Sequence, residues 1–216
     1  MMIVINAGTS YKHGAYLPDK SDATMIAAFD AFCTTAETTT GKKIHRIRTN
    51  WAYELTAWGE YCQCHGITHE FTAPYSSAQN RLTECAIRTT IDDVHTLLSN
   101  SKLGHSYWAK AGAYSIATHN MIPSHQHPDH IPAESFSGKR QNVAHLRVFG
   151  SKCWAKIPAA MGVSKLNPRS TECQLLGYAS GSSNYKVQDV KNQCVFISRD
   201  VVFEEGKPSH TSTSVG

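Results

Sequence analysis

The chain has 216 residues, of which 41% are hydrophobic, and a formal net charge of +4 at pH 7. This length suits one domain or two small ones, and the mild positive charge permits a nucleic-acid partner without demonstrating one. No secretory signal is recognisable, and no apolar run approaches the ~18 residues of a membrane-spanning helix, so we expect an intracellular protein that is neither secreted nor membrane-bound. The seven cysteines are then expected to be reduced thiols.

The first forty residues predict two strands followed by a helix. Residues 1–5 form a short apolar run, a turn follows at residues 8–10, and residues 11–17 can pair back as a second strand. Ser21 is a suitable helix cap and Gly41 a suitable helix end. The helix between them has one apolar face, formed by Met25, Ile26, Phe29, Phe32 and Cys33. We expect Cys33 to be a core residue and not a nucleophile, because a buried free cysteine behaves as a small hydrophobe.

A basic strand and a second helix are predicted next. Residues 42–49 alternate in the manner of a strand, and residues 54–65 form a helix that ends at Gly66. The strand is basic, and its cations protect a strand edge or contact phosphate; edge protection is the interpretation we favour. These residues are Lys42, Lys43, Arg46 and Arg48.

Four residues around the end of that helix suggest a zinc site. They are Cys62, Cys64, His65 and His69. The spacing argues against zinc, because one residue between two cysteines is tighter than the usual two to four. Gly66 also interrupts the helix, so the two histidines do not lie one turn apart.

Residues 67–90 form the most informative stretch, a strand, a loop and the start of a long helix. Ile67, His69 and Phe71 alternate with polar residues, and Pro74 interrupts the pattern. From residue 79 the spacing becomes helical, with apolar residues at Leu82, Ile87, Ile91, Val94, Leu97 and Leu98. Glu84 and Arg88 are four residues apart and therefore share a face. Glu84 is either a metal ligand or a solvated helix residue.

The second half of the chain predicts one more helix and then short strands. Residues 105–120 form the helix, with packing positions at Trp108, Ala111, Ile116 and Ala117. Residues 123–144 have the composition of a linker, and their histidines (His125, His127 and His130) are either metal ligands or part of a solvated loop. From residue 145 the pattern indicates about five strands, with turns at Gly177 and Gly181. Residues 206–216 are polar and are expected to form a flexible tail.

The stretch T-A-P-Y-S-S-A-Q-N, followed by an acidic residue and Arg-Thr, resembles the signature around the last catalytic carboxylate of copia-type (Pseudoviridae-like) retrotransposon integrases. That signature runs T-x-P-Y-x-x-x-Q-N-G-x-x-E-R-x-x-R-T. The matching residues are Thr72, Pro74, Tyr75, Gln79, Asn80, Glu84, Arg88 and Thr89. Two positions differ, because Arg81 replaces a glycine and Cys85 replaces an arginine.

A second motif and the C-terminal third extend this resemblance to most of the chain. Residues 48–54 resemble R-[ST]-D-N-G-x-E, but Asn50 occupies the position of the second catalytic aspartate. The resemblance places the first catalytic aspartate on a strand upstream of Met1. Residues 145–150, 176–178 and 198–205 are similar to the H-L-R-V-F-G, L-G-Y and S-R-D-V-V-F-x-E segments of the SH3-like module that follows the integrase core in these polyproteins.

The resemblance implies a two-part fold. Residues 1–122 are expected to form an α/β RNase H-like core that lacks its first strand, and residues 145–205 a small all-β SH3-like barrel. Residues 123–144 link the two parts. Loss of a central strand is expected to expose a sheet edge.

The resemblance also implies a function. The family transfers element DNA into host DNA with two Mg²⁺ ions held by three carboxylates. This chain keeps only Glu84 of those carboxylates, so we expect a degenerate, catalytically inactive integrase fragment. The family further implies DNA as partner, a nuclear location and possible oligomer formation. The DNA-binding residues would be Arg48, Gln79, Asn80, Arg81 and Arg88.

Two alternative functions remain open at this point. The first is a non-catalytic nucleic-acid-binding module that uses Arg81, Arg88 and Lys102 together with the lysines and arginines of the barrel. The second is a host-adopted protein-interaction protein, for which the sequence offers no specific signal.

Overall fold

The structure, a computed structural model, describes residues 1–49, 56–71, 77–123, 128–157, 169–179 and 184–204; for residue 56 and residues 77–80 it describes the backbone alone. The chain divides into two compact units. The first comprises residues 1–96 and 115–144, and the second comprises residues 97–114 and 145–216. Residues 123–144, expected as a linker, thus belong to the first unit.

The first unit contains two separate two-stranded sheets. Strand β1 (Met2–Ile5) pairs antiparallel with β2 (Lys12–Ala15), which confirms the strand pair predicted from residues 1–17. Strand β3 (Arg46–Thr49) pairs in parallel with β4 (Thr68–Phe71). The strand predicted from residue 42 therefore begins four residues later. The two pairs are not hydrogen-bonded to each other within the described part of the chain.

Helix α1 (Asp22–Thr40) has the predicted ends. Ser21 Oγ accepts a hydrogen bond from the backbone N–H of Thr24 at 3.4 Å, and Gly41 closes the helix with a left-handed φ of 67°. Helices α2 (Thr56–Cys64) and α5 (Pro132–Ser137) also belong to this unit. α1, α2 and the residue before β4 form its core, which consists of Phe29, Phe32, Cys33, Ala36, Trp58, Cys62 and Ile67. Cys33 is buried as predicted.

Two longer helices follow, α3 (Ser77–Ser101) and α4 (Trp108–Met121), separated by a short 3-10 helix at His105–Tyr107. Asp93 holds α3 to α4, because its Oδ2 accepts a hydrogen bond from Ser115 Oγ at 2.6 Å and lies 2.7 Å from His119 Nε2. No helix in the described ranges combines the length and the apolar character that crossing a lipid bilayer requires.

The helical periodicity of residues 79–98 is confirmed, but part of its apolar face is exposed. Leu82 is 61% exposed and Ile91 is 44% exposed, whereas Leu98 is buried. Trp108, expected as a packing position of α4, is 43% exposed; Ala111 and Ile116 are buried as expected. Spacing alone identifies the helix, but it does not reveal how far along the helix other elements cover it.

The second unit is built on one five-stranded antiparallel sheet. Its strands are β5 (Lys152–Lys156), β6 (Ser170–Tyr178), β7 (Tyr185–Asp189), β8 (Val195–Ser198) and β9 (Val201–Phe203), in the order β8-β7-β6-β5-β9. This confirms the expected set of about five strands. The buried face of the sheet consists of Cys153, Ala155, Cys173, Leu175, Tyr185 and Val187.

Two local predictions for this unit are wrong. Residues 145–151 form turns and irregular backbone, so the first strand begins only at Lys152. Gly177 lies inside β6 and not in a turn, at a shift of register between Leu175 and Gly177. Its φ of 137° favours glycine, which explains why a residue typical of turns occurs within a strand. Gly181 lies outside the described residues.

Gly150 leads to a first testable prediction. Its φ is 75°, and an added Cβ would lie 2.2 Å from Ser101 Cβ and 3.1 Å from Ser101 Cα. Gly150→Ala therefore combines left-handed strain with overpacking, and we expect the free energy of unfolding to fall by about 2–4 kcal/mol in urea denaturation. Gly41→Ala is the matched control, because Gly41 has a φ of 67° and open space around it. That control should cost about 1–2 kcal/mol from strain alone. Equal losses in the two variants would contradict the steric explanation.

Candidate functional site

Glu84 lies on the exposed face of α3. It lines a shallow groove together with Ile87, Arg88, Ile91 and Asp92. Glu84 and Arg88 therefore share a face, as their spacing predicts. The groove is mainly aliphatic, with one cation and two carboxylates along its length.

The groove does not suit a pair of divalent cations. Mg²⁺ requires several oxygen ligands in near-octahedral geometry. Asp92 is the other carboxylate of the groove, but eight residues of helix separate it from Glu84 by about 12 Å along the axis. Within the described ranges, no three His, Cys, Asp or Glu side chains gather in a way that could hold a metal ion. The described residues thus offer Glu84 as a single ligand.

Several predicted site residues lie where the structure gives no side-chain description. Asn50, at the position of the second catalytic aspartate, lies outside the described residues. Gln79 and Asn80 belong to the first turn of α3, with only their backbone described. Their predicted roles remain predictions.

Arg48 is engaged by a carboxylate on the neighbouring strand. Its Nε and Nη2 donate to Glu70 Oε2 at 3.2 and 2.9 Å, and Arg46 Nη1 lies 3.0 Å from Glu70 Oε1. Arg48 and Glu70 are register partners in the parallel pair β3–β4, which explains the contact. Both arginine side chains are more than half exposed. A phosphate would therefore have to compete with Glu70 for Arg48.

The other predicted DNA contacts lie on α3. Arg81 and Arg88 are both exposed. Arg88 Nη2 lies 3.8 Å from Cys85 Sγ, a weak contact with the residue that replaces the family's arginine. The exposed side of α3 thus presents two cations around Glu84.

The residues considered for a zinc site are not brought together. Cys62 is buried in the core and Cys64 is exposed. The His65 ring stacks on Tyr61 at 4.1 Å. His69 Nε2 lies 2.9 Å from Thr49 Oγ1, and burial lowers the pKa of His69. Of the later histidines, His125 and His127 lie outside the described residues.

The sequence analysis missed two polar contacts that shape the site region. Glu70 was treated only as a polar residue of an alternating strand. The sequences of β3 (R-I-R-T) and β4 (T-H-E-F) carry opposite charges, which could have suggested that the two strands pair. The contact of Asp93 with Ser115 and His119 joins residues more than twenty positions apart. No local signal in one sequence could have identified that contact.

Similarity to known proteins covers most of the chain. The family model of the retroviral polymerase SH3-like domain matches residues 151–215. Over 190 residues, 87% of the chain, the sequence is 32% identical to the retrovirus-related Pol polyprotein from transposon TNT 1-94 of Nicotiana tabacum. It is 31% identical to the polyprotein from transposon RE1 of Arabidopsis thaliana over 152 residues, 70% of the chain. The chain spans only 14% and 10% of the lengths of these two relatives.

Among solved structures, the chain is similar to one chain of the cryo-EM structure of the simian T-cell lymphotropic virus intasome in complex with PP2A regulatory subunit B56 gamma. The TM-score is 0.52 at 14% identity, and the match covers 91% of this chain and 68% of that one. At this identity the similarity concerns the fold alone. The SH3-like domain of the chain is shown independently by the family model that matches residues 151–215, which include the five strands of the antiparallel sheet. The chain belongs to the Pol polyproteins of copia-type retrotransposons and corresponds to part of their integrase region.

The burial of the cysteines makes a second prediction. Burial raises the pKa of Cys33 and Cys173 to about 11 and that of Cys153 to about 12. Because the thiolate is the reactive species, these three thiols should resist alkylation at pH 8 until the protein unfolds. The exposed Cys64 and Cys194 should react first, as measured by timed iodoacetamide labelling and peptide mass mapping. Labelling of Cys33 as fast as Cys64 would contradict its assignment to the core.

Proposed function

We propose that this chain is a degenerate retrotransposon integrase fragment that is catalytically inactive and still binds DNA. Its ancestral role is the integration of element DNA into host DNA. The observation that carries the proposal concerns Glu84, which matches the last carboxylate of the family signature. Among the described residues, Glu84 belongs to no group of three His, Cys, Asp or Glu side chains that could hold a metal ion. A nuclear location and oligomer formation belong to the same proposal.

The arrangement of the first unit supports an RNase H-like core. Met2 and Val4 of β1 and Ile47 of β3 all pack against the same helical core. The parallel pair β3–β4, which leads through the residues before α3 to Glu84, is where such a core would carry its acidic residues.

The chemistry expected of the family needs more anionic ligands around Glu84 than the described residues bring together. When bound, two Mg²⁺ ions would stabilise the attacking and leaving oxygens of an in-line displacement at phosphorus. Glu84 supplies one carboxylate among aliphatic neighbours, and Asn50 supplies at most a neutral amide oxygen. We therefore assign no catalytic step to this site.

Strand transfer on a labelled oligonucleotide tests the loss of activity. We expect no Mg²⁺-dependent product from the chain, because Asn50 stands at the position of the second catalytic aspartate and its amide supplies no negative charge to a metal pair. Glu84→Gln serves as the control for any background. A product that requires Mg²⁺ and disappears in Glu84→Gln would overturn the proposal.

Binding of DNA is supported by charge and exposure. The chain carries a net charge of +4, and Arg81 and Arg88 lie exposed on one helix. Cations that contact phosphates release counterions, so the affinity should fall as salt rises. Arg48 is a weaker candidate, because Glu70 already accepts hydrogen bonds from its guanidinium.

Fluorescence anisotropy with a duplex oligonucleotide tests this binding. Arg81→Ala and Arg88→Ala should each weaken binding at low salt and reduce the slope of log K against log salt by about 0.9 for each lost phosphate contact. Arg140→Ala is the charge-matched control, because Arg140 is an exposed cation that does not belong to α3. Equal losses in all three variants would show that net charge alone drives the binding. No binding at low salt would end the DNA-binding part of the proposal.

A further inference from the structure

The sheet of the second unit has two edge strands, and the edge at β9 carries charged side chains. Lys152 of the adjacent strand β5 lies 3.3 Å from Glu204, and Lys156 lies 3.6 Å from Asp200. These two acids directly flank β9, one at each end. Charged side chains at a sheet edge discourage pairing with a further strand, because pairing would remove them from water. The β9 edge is therefore protected.

The edge at β8 has no comparable protection. The four residues of β8 read V-F-I-S and include neither a charged residue nor a proline. Val195 is 44% exposed and Ile197 is 52% exposed, whereas Phe196 between them packs against the buried face of the sheet. Two aliphatic side chains of β8 are thus open to solvent on one face.

The same two residues carry the outward backbone groups of β8. The N–H of Asp189 donates to the C=O of Cys194 at 2.9 Å, so the backbone of Cys194 faces β7. Backbone groups of an antiparallel strand alternate between its two sides. Phe196 therefore also faces β7, whereas the N–H and C=O groups of Val195 and Ile197 point away from it. These outward groups have no backbone partner within the described ranges.

The residues of β8 are complementary to those of a second β8 strand. When two such strands pair antiparallel about a two-fold axis at Phe196, Val195 of each copy lies opposite Ile197 of the other. Both of these pairs use the outward backbone groups and place aliphatic side chains together on the exposed face. The next residues along, Cys194 and Ser198, are uncharged, so no like charges meet. A two-fold contact of this kind closes as a dimer and does not extend into a fibre.

We propose that β8 pairs with β8 of a second copy of this chain, which joins the two five-stranded sheets into one continuous sheet. The inference rests on the oligomer formation proposed above and names the surface that carries it. β8 lies between β7 and β9 in the chain, and both belong to its own sheet, so the open edge is a feature of the domain itself. One pair of four-residue strands buries less than the ~1,200 Å² of stable complexes, so the dimer has a Kd on the order of 100 µM.

Sedimentation equilibrium on the full chain tests the proposal. Between about 2 and 500 µM, a range that spans this Kd, the mean mass should rise from one chain toward two. Ile197→Lys should raise the Kd at least about tenfold, because each introduced ammonium group would lie in the apolar contact with Val195 of the other copy. Val202→Lys is the matched control, because Val202 is an exposed aliphatic residue on β9, at the opposite end of the strand order. The control should associate as the wild type does.

Amide hydrogen exchange gives a second readout that needs no variant. The amides of Val195 and Ile197 should exchange about fourfold more slowly at 500 µM than at 2 µM, because about three quarters of the chains are then paired. The amides of Phe196 and Ser198 face β7 and should keep their rates. This measurement decides the question if Ile197→Lys changes the circular dichroism of the chain.

The possible failures separate the β8 interface from the other proposals. A dimer that persists in folded Ile197→Lys, or protection that is absent from Val195 and Ile197, would overturn the assignment to β8 and leave oligomer formation standing. A wild-type chain that stays monomeric at 500 µM would overturn both. DNA binding is measured separately, by anisotropy at protein concentrations far below the Kd of the dimer.

Discussion

The aromatic face of α1 holds the first unit together. Phe29 and Phe32 lie next to each other, and the Phe29 ring contacts Trp58 of α2 at a centroid distance of 5.2 Å. Both short sheets pack against this cluster. An isolated two-stranded sheet is marginally stable in water, whereas burying one phenylalanine side chain contributes about 1.5–3 kcal/mol. The strands of this unit therefore depend on the helices more than on each other.

α3 presents Glu84 on a part of its surface that is exposed. The later part of α3 is fixed through Asp93, which contacts two side chains of α4. The earlier part leaves Leu82, Ile87 and Ile91 exposed around Glu84 and Arg88. A carboxylate on such a surface is solvated, and among the described residues it joins no group of three side chains that could hold a metal ion. The fold places Glu84 on the exposed side of α3. The fold does not supply the acidic neighbours that a metal site would need, because the groove around Glu84 is mainly aliphatic.

Local sequence signals predicted those parts of the fold that local interactions determine. Ser21 and Gly41 set the ends of α1 because a cap and a left-handed closure involve only nearby backbone. The contact of Asn120 with Lys12 spans 108 positions and leaves no periodic trace. Gly177 was misplaced because glycine suits a bulge as well as a turn, and only the register of β6 and β7 distinguishes them. The candidate site rests on its motif and stays a prediction. The pairing of Arg48 with Glu70 was not predicted from the sequence.

The forces that maintain this fold are separate from the groups that would perform the proposed ancestral chemistry. Core burial involves residues such as Phe29, Trp58 and Leu175, none of which belongs to the family's catalytic motifs. Replacements at exposed positions such as Arg81 usually change stability by no more than about 0.5 kcal/mol. Clustered acids repel one another unless a metal ion neutralises them, so losing one relieves strain and does not weaken the core. A chain under no selection for DNA transfer can therefore lose its ligands and keep its fold, which is the combination that a degenerate integrase requires.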